Sequence, residues 1–204
     1  MRAVLKRISQ VAGEHGVAQT KPMWLPELPA HIYLRDLAFF RSVMGAGSWP
    51  NPADNIRIPL GLADDVAHQR YLPFTVDLTS MRNIVAVGLA GSGKTTLVQS
   101  MVYSLCNLYD PAHVNLYILS LTSQTLGMLA AFPQVGDIVF DGEEMETRRF
   151  VNMLYAELER RGELFAAAAT DSFIEYNRAR RKRGELPEPA VIVFIDKMCI
   201  RDRV

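Results

Sequence analysis

The chain has little cysteine and no pattern in what it has. Cys106 and Cys199 are the only two, far apart and without C-x-x-C spacing. That excludes a disulfide framework and a structural zinc site, and it points to a reducing compartment. The four histidines, His15, His31, His68 and His113, stand singly, with no i,i+4 pair and no carboxylates at ligand spacing, and read as surface or core residues. No apolar run approaches the ~18 residues that span a bilayer. Arg, Lys, Glu and His scattered between Met1 and Thr20 exclude a signal peptide. Membrane attachment is therefore expected only through segments or partners that this sequence does not contain. An excess of charge is missing too: 22 Lys and Arg balance 22 Asp and Glu. This argues against a free-standing nucleic-acid binder, while leaving room for a local basic groove.

What remains is a soluble, globular composition over 204 residues, 49% hydrophobic, enough for one sizeable α/β domain and an appendage. Ala3–Ala12 has helical apolar spacing and runs into Gly13 and Gly16, a C-terminal stop. Lys21–Pro29 (KPMWLPELP) is too proline-rich for a regular element and reads as an extended linker, and Gly45–Asn55 reads as a loop. Residues 1–55 are therefore expected to be an N-terminal helix and linker from a preceding domain.

Strand patterns follow at Ile56–Leu60, Phe74–Leu78, Asn83–Val87 (NIVAV), Val114–Leu121, Gln134–Phe140 and Val191–Ile195 (VIVFI). The nearly unbroken apolar runs suit buried parallel strands. Helices are expected over Thr95–Leu108, around Leu126–Ala131, over Glu143–Phe165 and from a capping box at Ser172 and Glu175. In the long helix, Phe150, Leu154, Leu158 and Phe165 form the apolar stripe. Strands alternating with helices imply a mostly parallel sheet with helices on both faces.

One segment carries chemistry. Gly88-Leu89-Ala90-Gly91-Ser92-Gly93-Lys94-Thr95 matches the phosphate-binding loop G-x-x-x-x-G-K-S/T, between an expected strand and an expected helix. The glycines let successive backbone N–H groups turn inward towards phosphate oxygens, and the helix start adds its dipole. Lys94 should reach the β- and γ-phosphates of ATP and the Thr95 hydroxyl should ligate Mg2+, with Thr96 completing the cofactor-binding segment. A second Mg2+-side carboxylate is needed at the end of a neighbouring buried strand, and Asp196 after VIVFI is the candidate; Lys94 and Asp196 are the candidate catalytic pair. Lys197 stands where many motor ATPases place a water-activating glutamate, so hydrolysis by the familiar route is not expected. The basic run Arg178, Arg180, Arg181, Lys182 and Arg183 reads first as a solvated helix end and second as a contact for DNA, an acidic partner or a neighbouring nucleotide. Glu157-Leu158-Glu159-Arg160-Arg161 reads as ion pairing along a helix face.

Taken in order, these motifs resemble the FtsK/SpoIIIE family of ATPases, and within it the multi-domain motors of type VII secretion systems of EccC/EssC type. The resemblance runs from about Trp24 to Asp196. It rests on Ile58–Asp65 (IPLGLADD), Asn83–Thr96 (NIVAVGLAGSGKTT), Tyr117-Ile118-Leu119, Thr125–Asp137 (TLGMLAAFPQVGD), the ELERR segment at Glu157–Arg161, and VIVFID. It implies a RecA-like P-loop NTPase fold acting in a ring or stack with other ATPase modules. Such a protein would sit on the cytoplasmic face of the cell membrane and help export small helical proteins. A DNA translocase of the FtsK type and a nucleotide-holding regulatory module without hydrolysis are the alternatives.

Two departures from the family pattern shape the expectation. Relatives commonly place an aspartate after the second buried strand, where this chain has Ser120-Leu121-Thr122-Ser123, and Lys197–Val204 (KMCIRDRV) reads as an unrelated tail after a partial domain over residues 56–196. The C-terminal strands of the fold would then be missing, including the one that RecA-like sheets insert beside the P-loop strand. A gap, or an improvised pairing, is expected between Ile84–Val87 and Val191–Ile195. ATPase activity is expected of the full-length protein rather than of this chain alone.

Overall fold

The structure, a computed structural model, describes residues 1–17, 24–37, 40, 49, 55–121 and 124–196. The expected loop at 45–55 lies mostly outside the described residues. So do 21–23 of the linker, Thr122, Ser123, Lys197 and the whole expected tail.

Helix α1 (Arg2–Glu14) forms as its spacing suggests and ends at His15, with Gly16 at φ 65°. None of its residues is buried, and Val4, Leu5 and Ile8 face outward. Leu37 and Phe40 are already buried in the core ahead of the first strands. These form a hairpin of β1 (Arg57–Asp65) and β2 (Arg70–Asp77), paired antiparallel from Arg57 opposite Asp77 to Asp65 opposite Arg70. Both strands extend towards their shared turn beyond Leu60 and Phe74, where the apolar patterns stopped, because each completes the other's ladder. Asp65 ties the turn by accepting from His68 and Arg70. Burial alone would raise Asp77, but Asn55, Arg57 and the amides of Ser80 and Thr79 all donate to it and hold its carboxyl down to about 2.

Helix α2 (Lys94–Leu108) is the spine of the core. Its Met101, Val102, Leu105, Cys106 and Leu108 are buried against Ile58 of β1, Val114, Leu116 and Ile118 of β3 (Val114–Ser120), and Leu126 and Leu129 of a 3₁₀ segment at Gln124–Ala131. Burial pushes the Cys106 thiol up to about 12, so it is an inert packing group. Strand β3 alternates strictly, with Val114, Leu116 and Ile118 pointing towards α2. The opposite face carries Tyr117, which meets Phe150 of α3 (Glu144–Ala167) edge to face with ring centroids 6.2 Å apart. Helices therefore cover both faces of the sheet, as the element order implies.

The sheet is parallel in the order β4-β3-β5, with β4 at Val135–Phe140 and β5 at Ala190–Asp196. Gln134, expected to open β4, is instead folded inward and buried. Its Nε2 donates to the carbonyls of Cys106 (3.0 Å) and Tyr109 (2.6 Å), which lack helical partners at the end of α2. Beside it Phe132 packs edge-on against Tyr103, and Gly136 passes so close to Tyr117 that a Cβ would lie 2.7 Å from the ring. The Phe132–Gly136 segment is thus the rear support of α2.

Two expectations are corrected. Leu158 does not belong to the core stripe of α3. Phe150 is buried and Leu154 and Phe165 half-buried, whereas Leu158 is 66% exposed. At 3.6 residues per turn it sits roughly 80° round from Phe150, at the rim of the inward arc, while Arg161 occupies the inward position. Nor is Asn83–Val87 a buried strand. It forms no strand, and Ile84, Val85 and Val87 are 45%, 83% and 92% exposed. The expected gap is present. A cavity of about 670 Å³, lined among others by Met81, Ile84, Ala86, Val98, Ile192 and Phe194, separates this segment from β5. An apolar run gains strand geometry only beside a partner, and the neighbouring edge of β5 lies across that cavity.

Candidate functional site

Glycine makes the turn between Val87 and α2 possible. Gly91 and Gly93 sit at φ 78° and 86°, left-handed values that disfavour other residues. Gly88 approaches Ser92 so closely that a Cβ would meet its Oγ at 2.4 Å. The loop closes through Ser92 N–H donating to Leu89 O (3.2 Å), and α2 begins with Leu97 N–H donating to Gly93 O (2.8 Å). Residues 88–93 are exposed. Lys94 curls back over the loop, its Nζ donating to the carbonyls of Gly88 (2.8 Å) and Leu89 (2.7 Å), with the Ser92 hydroxyl at 3.5 Å. The ammonium is thus held at the centre of the loop by neutral carbonyls, from which an anion could draw it away.

The fold brings the distant candidate to the same place. Thr95 Oγ1 donates to Asp196 Oδ2 at 2.9 Å across 101 residues of sequence. Asp196 is 5% exposed and ends β5, aligned with Ser120 at the end of β3. Its carbonyl accepts from the Leu121 amide at 2.9 Å. A hydroxyl and a carboxylate are both hard oxygen donors, a set that suits Mg2+. Lys94, Thr95 and Asp196 therefore converge, and Thr96 follows on the first turn of α2.

Two residues of the basic run, Arg180 and Arg183, are engaged within the chain. Arg180 lies 5.8 Å from the centre of the Tyr176 ring and bonds to Leu186 O, and Arg183 pairs with Glu185, which also lies near Arg180. Helix α4 (Phe173–Lys182) is capped by Ser172, which accepts from Glu175 N–H, while the Glu175 carboxylate accepts from Thr170 rather than completing the box. Ion pairing along α3 is present but reaches further than the helix face. Glu157 binds Arg160 and Arg161, which hold its carboxyl down to about 2 despite partial burial. Both arginines also reach the segment before β5, where Glu188 is buried. Glu188 and Asn177 carried no local signal: their partners lie 28 and 11 residues away in sequence.

A glycine-wrapped loop opening a helix, with a buried carboxylate from a parallel strand on the first helical hydroxyl, defines a fold of the P-loop NTPase type. The model of the FtsK/SpoIIIE family matches residues 48–201, and the chain belongs to that family. It is 25% identical over 198 residues to the type VII secretion system protein EssC of Staphylococcus aureus, matching 96% of this chain and 13% of EssC. To the ESX secretion system protein EccC of Thermomonospora curvata it is 31% identical over 180 residues, 85% of this chain and 13% of EccC. A solved structure of ATPases 2 and 3 of Thermomonospora curvata EccC, in complex with a signal sequence peptide, superposes with a TM-score of 0.64 at 28% identity. That match covers 71% of this chain and 26% of the other. The chain thus spans about an eighth of the curated relatives it matches. Among the described residues, no helix is long and apolar enough to cross a membrane.

Proposed function

We propose that this chain is a nucleotide-binding module of an FtsK/SpoIIIE-type motor, one that serves type VII protein secretion and works beside other ATPase modules at the cytoplasmic face of the membrane. The observation that carries the nucleotide reading is the Thr95–Asp196 hydrogen bond at the mouth of the loop. It joins the two oxygen donors a Mg2+–triphosphate needs, at the start of the helix that follows the loop, where the Gly88 and Leu89 carbonyls hold Lys94. The groups fit. A Cβ at Gly88 would collide with Ser92, and Gly91 and Gly93 hold left-handed φ values that other residues disfavour. Lys94 is a cation resting on neutral carbonyls, and Asp196 is a buried carboxylate that accepts from the Thr95 hydroxyl. The metal, when bound, supplies charge neutralisation between the phosphates. Thr95 and Asp196 would hold it, and Lys94 would leave the carbonyls of Gly88 and Leu89 to pair with phosphate oxygens. The similarity to EssC and EccC supports the secretion reading, and small helical exported proteins are the partners it proposes.

Lys197 stands in the sequence where many motor ATPases place a water-activating glutamate, and this supports binding without appreciable turnover as the behaviour proposed for this chain. Calorimetric titration with ATP and Mg2+ tests the reading. Binding should be measurable for the natural sequence and lost in Lys94→Ala. An unchanged affinity in that variant would refute the assignment of the loop. DNA binding that weakens steeply with added salt would instead favour a DNA-moving motor.

A further inference from the structure

Strand β5 carries Asp196 and, among the described residues, is laddered to β3 along one edge only. Its other edge faces the cavity, and of its own side chains only Phe194 and Asp196 are buried. A strand paired on one edge has fewer constraints on its register than one paired on both. A two-residue slip would keep the same faces inward and move Asp196 by about 7 Å along the strand. The hydrogen bond to Thr95 could not survive that.

The two residues before β5 are gripped from both helices of the α3–α4 hairpin. The Asn177 amide holds both backbone groups of Glu188, accepting from its N–H at 2.7 Å and donating to its carbonyl at 2.9 Å. Arg161 Nη2 donates to Pro189 O at 2.6 Å, and Ala190 N–H then starts the ladder on His113 O at 2.8 Å. The Glu188 carboxylate is bound by Arg160 and flanked by Arg161 and Arg180, each at 3.8 Å. Glu157 orients Arg160 and Arg161 through bonds of 2.6 to 2.8 Å. Glu188 and Asn177 are 8% and 6% exposed, so these bonds are shielded from competing water.

We infer that Glu157, Arg161, Asn177 and Glu188 form a register clamp on β5 and are positioning residues for Asp196, acting on the magnesium side of the nucleotide site from the far end of the strand. The ELERR segment thereby gains a role in metal affinity, although its arginines do not take part in the contacts at the loop. The inference rests on the nucleotide reading for its effect on Mg2+, while the clamp itself can be tested apart from it.

The test measures ATP affinity by calorimetry in Mg2+ and in EDTA, together with hydrogen exchange of the β5 amides, on the 204-residue chain and its variants. Arg161→Ala should lose tenfold or more of the Mg2+-dependent gain in affinity while affinity in EDTA changes by less than twofold. Exchange at 190–196 should rise at least tenfold, with the β3–β4 ladder unaffected. Glu188→Gln, which preserves size and the backbone bonds to Asn177, is the milder variant should Arg161→Ala not fold, and should shift both readouts in the same direction. Phe150→Ala loosens α3 away from the clamp, and should lower thermal stability without touching the Mg2+ gain. Retained protection at 190–196 in a folded clamp variant would overturn the inference. An intact Mg2+ gain beside lost protection would overturn the link to Asp196. Absence of any Mg2+ gain in the unmodified chain would instead defeat the nucleotide reading, and the clamp would then be judged on exchange alone.

Discussion

Val191–Ile195 (VIVFI) and Asn83–Val87 (NIVAV) are near-equivalents as sequence, short β-branched runs of the kind that fill buried parallel strands. The first becomes part of β5, paired with β3 along its whole length and gripped at its start. The second remains outside the sheet with its valines in solvent, although it leads directly into the phosphate-binding loop. The difference lies in the surroundings. A strand needs an edge to pair with and a face to cover, and β5 has both on its β3 side. The loop's own geometry does not depend on that pairing. It is held from behind by α2, which is buried along Met101–Leu108 and capped by Gln134.

The largest expected effect sharpens this contrast from the α2 side. Leu105→Ala, at a fully buried position, should lower the unfolding free energy by about 2–5 kcal/mol in chemical denaturation. An acid titration should have an effect of intermediate size. Glu157 is depressed from its ordinary 4.5 to about 2 by Arg160 and Arg161. Its contribution is therefore complete above pH 4.5 and is lost as pH falls towards 2. Glu157→Gln should remove a share on the order of 2 kcal/mol from stability at neutral pH and flatten the decline across that window. The smallest effect is expected at Val85→Ala, within about 0.5 kcal/mol of the natural sequence. A loss comparable to that of Leu105→Ala would show that residues 83–87 are packed, and the contrast would fail.

The legible parts of the sequence were those fixed by local rules. The glycine positions of the loop, the start of α2, the alternation of β3 and the Ser172 cap all follow from backbone sterics and short-range periodicity. Asp196 was legible because an apolar run ending in a carboxylate is itself a short pattern. Long-range features were not. Gln134 looks like the first residue of a strand until its amide is seen on two helix-end carbonyls. Glu188 sits in a segment that reads only as a loop, and Leu158 is distinguished from its stripe by a modest rotation about α3. The basic run at 178–183 closes α4 at Lys182, and Arg180 and Arg183 are engaged within the chain.

The central claim is that Gly88–Thr95 and Asp196 together receive a Mg2+–triphosphate. Hydrogen exchange with and without Mg2+–ATP measures this at the residues concerned. The amides of residues 88–96 should gain strong protection on addition of the nucleotide, with a smaller gain at the end of β5, and neither should change in Lys94→Ala. Unaltered exchange at 88–96 under saturating Mg2+–ATP would contradict the account.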